Sequence, residues 1–311
     1  MQGSLTIAGE QLTVACSVPW LANVIAAEAD LRAFDALQSS VRVEIESARH
    51  AFETQGWDRI ARGTWHRGGE IVVEDACRAG FDLHVRCSST CAEFTYRWRP
   101  TRRQRVAAAA FRSRFHAVAR AALIEYPALW RAGHRNRAPL HAFAWCNGDS
   151  TPLVVASGAV GSLELGSGGC VTGHNLAASD GSTVWGLGER FPVTGEPEHD
   201  VSMPGRADAL TPDSVVVLMR GASSTPSLEP CSPGTAARAL VATTYAASEL
   251  RRYWSLAAVL SRATGVGPTH PPVVATAGAF ALNLPGFSIA LGKGAGALST
   301  LLRELPRGAF T

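Results

Sequence analysis

The sequence predicts an α/β protein of two domains, and three observations lead to this prediction. The chain has 311 residues, which is enough for two modest domains. Its N-terminal part contains short segments in which apolar and polar residues alternate, as in half-buried strands, followed by a long helical stretch. Its second half contains "DSVVVLMRG", an apolar segment typical of a strand that is buried on both faces.

The elements of the N-terminal domain follow from the spacing of apolar residues. "SLTIAG" and "QLTVACSV" predict two strands joined by a Gly-Glu turn, and residues 21–37 have the spacing of a helix. "VRVEIE", "GEIVVEDAC", "FDLHVRC" and "AEFTYRWRP" predict four more strands. Residues 103–133 form a helical stretch that Pro127 is expected to break or kink. We therefore expect an N-terminal α+β domain over residues 1–130.

Residues 131–311 are expected to form the second domain. "PLHAFAWCNG" and "TPLVVASG" predict strands separated by an Asn-Gly-Asp-Ser turn, and an Asp-Gly pair at Asp180 predicts a later hairpin. After the buried strand, residues 235–265 predict one or two helices that end at Gly265. "GFSIALG" predicts a last strand and "ALSTLLREL" a last helix.

Composition and charge limit which partners and which cellular compartment we expect for this protein. The net charge of +3 requires neither a nucleic acid nor a membrane as partner, and we expect none. The chain lacks both an uninterrupted apolar run of spanning length and a basic start followed by an apolar run, so we expect no membrane span and no signal peptide. Seven scattered cysteines fit reduced thiols. These features predict a cytoplasmic protein, and they leave a homo-oligomer open.

A glycine-rich segment follows the strand of "TPLVVASG", and such a turn is typical of a phosphate-binding loop. In that loop backbone N–H groups cradle the phosphates, and Lys then Ser or Thr should follow the last glycine. Here Gly161 is followed by Ser162, and Lys293 is the only lysine in the chain. Only four residues separate Gly161 from the next glycine, so we expect the following helix to be absent or at most about two turns long.

The segment "APLHAFAWCNGDSTPLVVASGAVG" and the later "GCVTGHNLAASDGSTVWGLGER" resemble the HPr-kinase-like family, which includes HPr serine kinase and the phosphoenolpyruvate-carboxykinase-like proteins. In that family a histidine-bearing strand pair leads into a P-loop, and a second strand ends in acidic residues. "PLHA" is similar to the approach strand, and "ELRRYWSLAAVLSRATGVGPTHP" is similar to the later helical part of actinobacterial relatives. The resemblance covers about residue 126 to the C-terminus, and it implies a P-loop nucleotide-binding fold that takes ATP and Mg²⁺.

Carried over residue by residue, the resemblance implies a degenerate site. Ser157, Gly158, Gly161 and Ser162 match the cofactor-binding loop, and Ser162 matches the Mg²⁺ ligand if a gap falls where the lysine was. Where the family has two acidic residues, this chain has His174 and Asn175. His174 could still accept a proton and Asn175 could ligate a metal through its carbonyl. The missing lysine and acidic pair put the binding of both ATP and Mg²⁺ in doubt.

Three functions remain open at this point. One is a pseudokinase that binds a partner in a regulatory role, with weak or no ATP binding. Another is an active ATP-dependent serine kinase acting on a peptide, protein or small metabolite, in which Arg190, Arg206 or Lys293 replaces the missing lysine. The third is a small-molecule binder or an enzyme of another reaction type that uses the same cleft. Asp180 is interpreted as a turn residue, and Glu189 as either a site carboxylate or a surface turn.

Overall fold

A computed structural model of the chain describes residues 1–28, 39–78, 80–88, 90–156, 169–173, 175–188, 205–221, 226–291, 298–303 and 305. The fold is mixed α/β, with helices and mixed sheets. The chain divides into two compact units. Unit 1 contains Met1–Asn136 and Ser248–Pro271, and unit 2 contains Arg137–Ala247 and Pro272–Thr311. The boundary between residues 130 and 131 stays a prediction.

The strands of the described residues are β1 (Gln2–Ile7), β2 (Glu10–Cys16), β3 (Val41–Ser47), β4 (Asp58–Ala61), β5 (Thr64–Arg67), β6 (Glu70–Ala76), β7 (Phe81–Cys87), β8 (Ala92–Trp98), β9 (Ala138–Leu140), β10 (Phe143–Cys146), β11 (Pro152–Ala156), β12 (Cys170–Val171), β13 (Ala177–Ser179), β14 (Val184–Gly186), β15 (Gly205–Arg206), β16 (Ala209–Leu210), β17 (Ser214–Arg220), β18 (Ser227–Pro230) and β19 (Gly286–Leu291). The helices are α1 (Pro19–Glu28), α2 (Arg102–Ala110), α3 (Arg112–Arg120), α4 (Tyr126–Gly133), α5 (Pro233–Ala246), α6 (Arg251–Thr264), α7 (Val273–Asn283) and α8 (Leu298–Arg303), with a π-helical segment at Ala121–Glu125. None of these described helices is both long and apolar enough to cross a membrane.

Unit 1 is built on one mixed sheet. Among the residues described, its eight strands lie in the order β1-β2-β3-β8-β7-β6-β5-β4. The pairs β2–β3 and β3–β8 are parallel, and the other neighbours are antiparallel. Along β3, Val41, Val43 and Ile45 are buried while Arg42 and Glu44 are exposed. The sheet therefore has a packed face, and α1, α4 and α6 contact its strands.

The first hairpin turns one residue earlier than the predicted Gly-Glu turn. Ile7 pairs with Glu10, so the two-residue turn is Ala8-Gly9 and Glu10 already belongs to β2. Both turn residues have left-handed backbone, with φ of 55° and 72°. Two-residue hairpins favour this conformation because its twist matches that of the flanking strands.

The helical stretch after β8 is interrupted before Pro127 rather than at it. Tyr126 N–H donates to the carbonyl of Ala121, five residues back, and Pro127 has no N–H to donate to Ala122. The buried hydroxyl of Tyr96 donates to the Ala122 carbonyl at 2.7 Å instead. A side chain from β8 thus pairs with the backbone acceptor that Pro127 leaves without a partner, and the helix continues as α4.

Unit 2 contains two sheets in the described part of the chain. A seven-stranded sheet has the order β15-β12-β10-β11-β17-β19-β18, and a four-stranded antiparallel sheet has the order β16-β14-β13-β9. "PLHA" is therefore not one strand, because β9 and β10 belong to different sheets on either side of His141. The Asn-Gly-Asp-Ser turn is confirmed between β10 and β11, where Asn147 Oδ1 accepts from the backbone N–H of Asp149 and Ser150.

Strand β17 is buried on both faces, as its sequence predicts. Val216 and Leu218 belong to an apolar cluster that α8 covers with Leu298 and Leu302. The alternate residues Val215 and Val217 are also buried, and α5 contacts β11, β17 and β19. The central strands are therefore held between helical layers, which leaves their ends as the accessible part.

Candidate functional site

The candidate site lies at one edge of the seven-stranded sheet. Strands β11, β17 and β19 are parallel, and Ala156, Leu218 and Ile289 lie level with one another across them. The carboxyl ends of the three strands therefore meet at the same edge. The glycine-rich segment begins directly after Ala156, and Lys293 is the second residue after the end of β19 at Leu291.

The connections from this edge diverge between β11 and β17. After β11 the next strand is β12, which lies on the β10 side of the sheet. After β17 the next strands are β18 and β19, which lie on the other side. In open α/β sheets the crevice at such a switch point, outside the carboxyl ends of the strands, is where ligands bind. The described strands thus have such a switch point at the strand end where the glycine-rich segment starts.

Strand β12 leads to the same edge. It is antiparallel to β10, which is antiparallel to β11, so β12 and β11 run in the same direction. Two strand spacings, about 10 Å, separate them. Beyond β12, Thr172 Oγ1 accepts from Ala144 N–H at 3.0 Å, so the chain still follows β10 toward this edge as it approaches Asn175.

Asn175 is the one predicted site residue within the described part of the chain. It is exposed and lies between β12 and β13. Because Ala177 pairs with Leu140, the segment containing Asn175 runs beside the connection from β9 to β10. The other predicted site residues lie outside the described residues, and they are Ser157, Gly158, Gly161, Ser162 and His174. Glu189, Arg190 and Lys293 also lie outside them.

Arg206, a candidate replacement for the lysine, is half-buried on β15. Its Nη2 lies 3.3 Å from Asp208 Oδ1, so its charge already has a carboxylate partner. Using Arg206 for a ligand phosphate would require this pair to be broken or shared. The geometry therefore makes Arg206 a weaker candidate for the lysine role than the sequence alone suggested.

Asp180 is a turn residue, as the sequence predicts. It lies in the hairpin between β13 and β14, and its Oδ1 accepts from Ser182 N–H, Ser182 Oγ and Thr183 N–H, each at 2.9 Å. Burial raises the pKa of the Asp180 carboxyl, but these hydrogen bonds outweigh burial and lower it overall. The Asp180 carboxylate therefore stabilises the hairpin between β13 and β14.

Gly169 directs the chain into β12, and sequence reasoning did not assign it a role. Its φ is 82°, and a Cβ at this position would lie 2.1 Å from the carbonyl oxygen of Cys146. Only glycine fits both the backbone conformation and this close approach. The Gly-Gly pair before Cys170 is the signal that could have identified this position.

The described residues do not by themselves form a Mg²⁺ site. No group of three or more His, Cys, Asp or Glu side chains suited to a metal occurs among them. Asn175 offers a single amide oxygen, and the other ligands of a Mg²⁺ ion would have to come from water, from phosphate oxygens or from residues outside the described ranges.

Comparison with models of protein families gives no match for this chain, and comparison with curated proteins gives none either. The resemblance to HPr-kinase-like proteins therefore stays a prediction from short motifs. What supports a site in unit 2 is the geometry of the strand ends together with the residues that follow them.

Proposed function

We propose that unit 2 is a degenerate HPr-kinase-like domain that binds ATP–Mg²⁺ weakly or not at all and acts through a protein or peptide partner. The observation that carries this proposal is the end of β11 at the switch point of the sheet, followed at once by a glycine-rich segment without a lysine. Phosphate-binding loops follow strand ends of this kind, which supports the proposal, and the sequence here lacks the lysine and the acidic pair that phosphoryl transfer needs.

The absence of the P-loop lysine lowers the affinity expected for ATP. Backbone N–H groups of a glycine-rich loop can still donate to phosphate oxygens. A charge-assisted hydrogen bond from a lysine contributes about 1.5–3 kcal/mol more, which is about a tenfold to hundredfold change in affinity. Glu164, close after the loop, adds a negative charge that further disfavours a polyphosphate.

The test is calorimetric titration of the full chain with ATP–Mg²⁺, with phosphate release from ATP measured in parallel. We expect affinity weaker than micromolar and no detectable phosphate release. Ser162→Lys should not restore turnover, because the acidic pair would still be missing. Ser167→Lys, which adds a lysine to the same segment outside the motif, is the matched control. Micromolar affinity together with turnover by the wild-type protein would overturn the proposal.

One observation favours an active kinase as the second candidate. The end of β19 lies at the same edge as the end of β11, and the chain's only lysine follows it within two residues. In that case Lys293 would neutralise the phosphates that the lysine of a P-loop normally contacts. Lys293→Ala would then abolish turnover, whereas Arg238→Ala, on the exposed surface of α5, would leave it unchanged.

A further inference from the structure

Unit 1 contains a cavity of about 610 Å³ with a strongly cationic lining. It lies between the turn that joins β6 to β7, the turn that joins β4 to β5, and the first half of α6. Its charged lining residues are Arg62, Arg78, Arg251, Arg252 and Asp75. This volume is typical of cavities that hold small organic molecules.

Among the described residues, the four guanidinium groups lack carboxylate partners. Within the part of the chain that the structure describes, none of them forms an ion pair. Asp75 Oδ1 accepts from Gly80 N–H at 2.7 Å and from Gln104 Nε2 at 2.8 Å, so this carboxylate serves the turn itself. The cavity therefore carries a formal charge of +3, and an anion would relieve the repulsion among its cations.

The turn that positions Arg78 has an unusual backbone. Asp75, Cys77 and Arg78 have φ values of 46°, 59° and 54°, all in the left-handed region. Non-glycine residues seldom adopt this conformation, and three of them within four residues, at the end of β6 and in the turn after it, indicate that surrounding structure imposes it. Strain of this kind concentrates at ligand-binding sites, so the turn is consistent with a site built around Arg78.

A second, smaller cavity of about 230 Å³ adjoins the first, because Arg78 and Arg252 line both. Its other lining comes from α2, α3 and Phe111 between them, and it is mainly apolar apart from Gln104 and Arg114. Arg252 is half-buried, whereas Arg78 is exposed. The two guanidinium groups thus lie between a cationic cavity and a smaller one whose lining is mainly apolar.

We propose that unit 1 binds a small organic oxyanion across these two cavities. Its phosphate, phosphonate or paired carboxylate group lies between Arg78 and Arg252, and its apolar part occupies the smaller cavity. Arginine suits this role because its planar fork of N–H donors matches two oxygens of one anionic group. The ligand class follows from guanidinium groups that have no carboxylate partner in the described part of the chain and lie beside a mainly apolar cavity. It is independent of any nucleotide in unit 2.

The test is calorimetric titration of the full chain with phenylphosphonate, and with methylphosphonate as the probe that lacks the ring. We expect phenylphosphonate to bind more tightly than methylphosphonate. Arg78→Gln and Arg252→Gln should each weaken phenylphosphonate about tenfold to hundredfold, because each removes a charge-assisted contact. Arg262→Gln is the matched control, since Arg262 is exposed near the end of the same helix and does not line either cavity.

Arg252→Lys keeps the charge and the fold while removing the two-pronged contact, so it should weaken binding less than Arg252→Gln. Unchanged affinity in both glutamine variants would place the anion elsewhere in the chain and overturn the proposal. Failure of the wild-type protein to bind phenylphosphonate at millimolar concentration would overturn it as well. Equal affinity for the two probes would refute the role of the apolar cavity.

Discussion

Lowering the pH from 7.5 to 5.0 should destabilise unit 1 through His134. Burial, and after it the positive charge of Arg131, together lower the pKa of this histidine from 6.5 to about 4. Arg131 Nη1 lies 3.1 Å from His134 Nδ1, so the neutral ring accepts a hydrogen bond from the guanidinium. The ring also packs edge-on against Trp130. It lies so close to Gly267 that a Cβ at position 267 would lie 2.4 Å from Cδ2 of the His134 ring.

The free energy of unfolding falls as the pH falls, because the unfolded chain binds the proton more tightly than the folded protein does. In the unfolded chain His134 takes up a proton as the pH falls through 6.5, whereas in the folded protein it stays neutral until about pH 4. The stabilising contribution is therefore fully present above pH 6.5 and is lost progressively as the pH falls toward 4. Between pH 6.5 and 5 the difference corresponds to at most about 2 kcal/mol, and we expect about 1 kcal/mol because solvent screens a half-buried ring.

The measurement is urea unfolding at pH 7.5 and 5.0, with pulsed amide exchange of residues 126–136 reporting on unit 1. In His134→Asn the amide oxygen can still accept from Arg131 but does not titrate. The wild-type protein should lose about 1 kcal/mol more than this variant between the two pH values. His50→Asn, at an exposed position of the same unit, is the control and should behave like the wild type. Equal losses in the wild-type protein and His134→Asn would refute the reasoning.

Three further predictions test local features of the fold. Tyr96→Phe should lower the free energy of unfolding by about 1 kcal/mol in urea titrations, because the Ala122 carbonyl would lose its hydrogen bond. Gly169→Ala should be destabilising by more than about 2 kcal/mol in the same assay, since its Cβ would overlap the Cys146 carbonyl. Burial raises the pKa of Cys77 to about 12, so iodoacetamide at pH 7.5 should modify it far more slowly than it modifies glutathione, as measured by mass spectrometry.

Local patterns in the sequence were enough to predict most of the central strands. β3, β8, β11 and β17 all lie where alternation or an apolar run predicts them. β4 was missed because every residue of it is exposed, which leaves no apolar period to detect. α7 was missed because "VVATAGAFALN" is apolar nearly all round and therefore has no clear helical stripe.

Arrangements that depend on distant parts of the chain could not be predicted. α6 resembles an ordinary amphipathic helix in the sequence, and nothing local indicates that it joins unit 1 after the chain has entered unit 2. The left-handed turn at Asp75, Cys77 and Arg78 also has no sequence signal, because glycine and asparagine usually mark such positions. Both features create the cationic cavity, and this is why sequence analysis did not find it.

The candidate site in unit 2 was partly predictable, because some of its features are local in the sequence and others depend on the sheet order. The glycine-rich segment after β11 is a local feature, and its position at a strand end follows from the residues themselves. That β12 lies two strands away and runs toward the same edge depends on the sheet order, which local patterns do not determine. The resemblance supplied the expectation that Asn175 belongs near the loop, and the strand directions are compatible with it.

The sheet order also narrows the question of how a phosphate would be neutralised at this edge. Arg206 is paired with Asp208, and Arg137 lies 3.9 Å over the ring of Trp185, so each of these cations already has a partner. Lys293 follows a parallel strand at the same edge and is the chain's only lysine. Of the proposed replacements for the lysine this leaves Lys293 and Arg190, so a phosphate at the end of β11 would depend on one of these, on backbone N–H groups, or on both kinds of donor. The affinities of Lys293→Ala and Arg190→Ala for ATP separate these cases, because a site made of backbone N–H groups alone would not change in either variant.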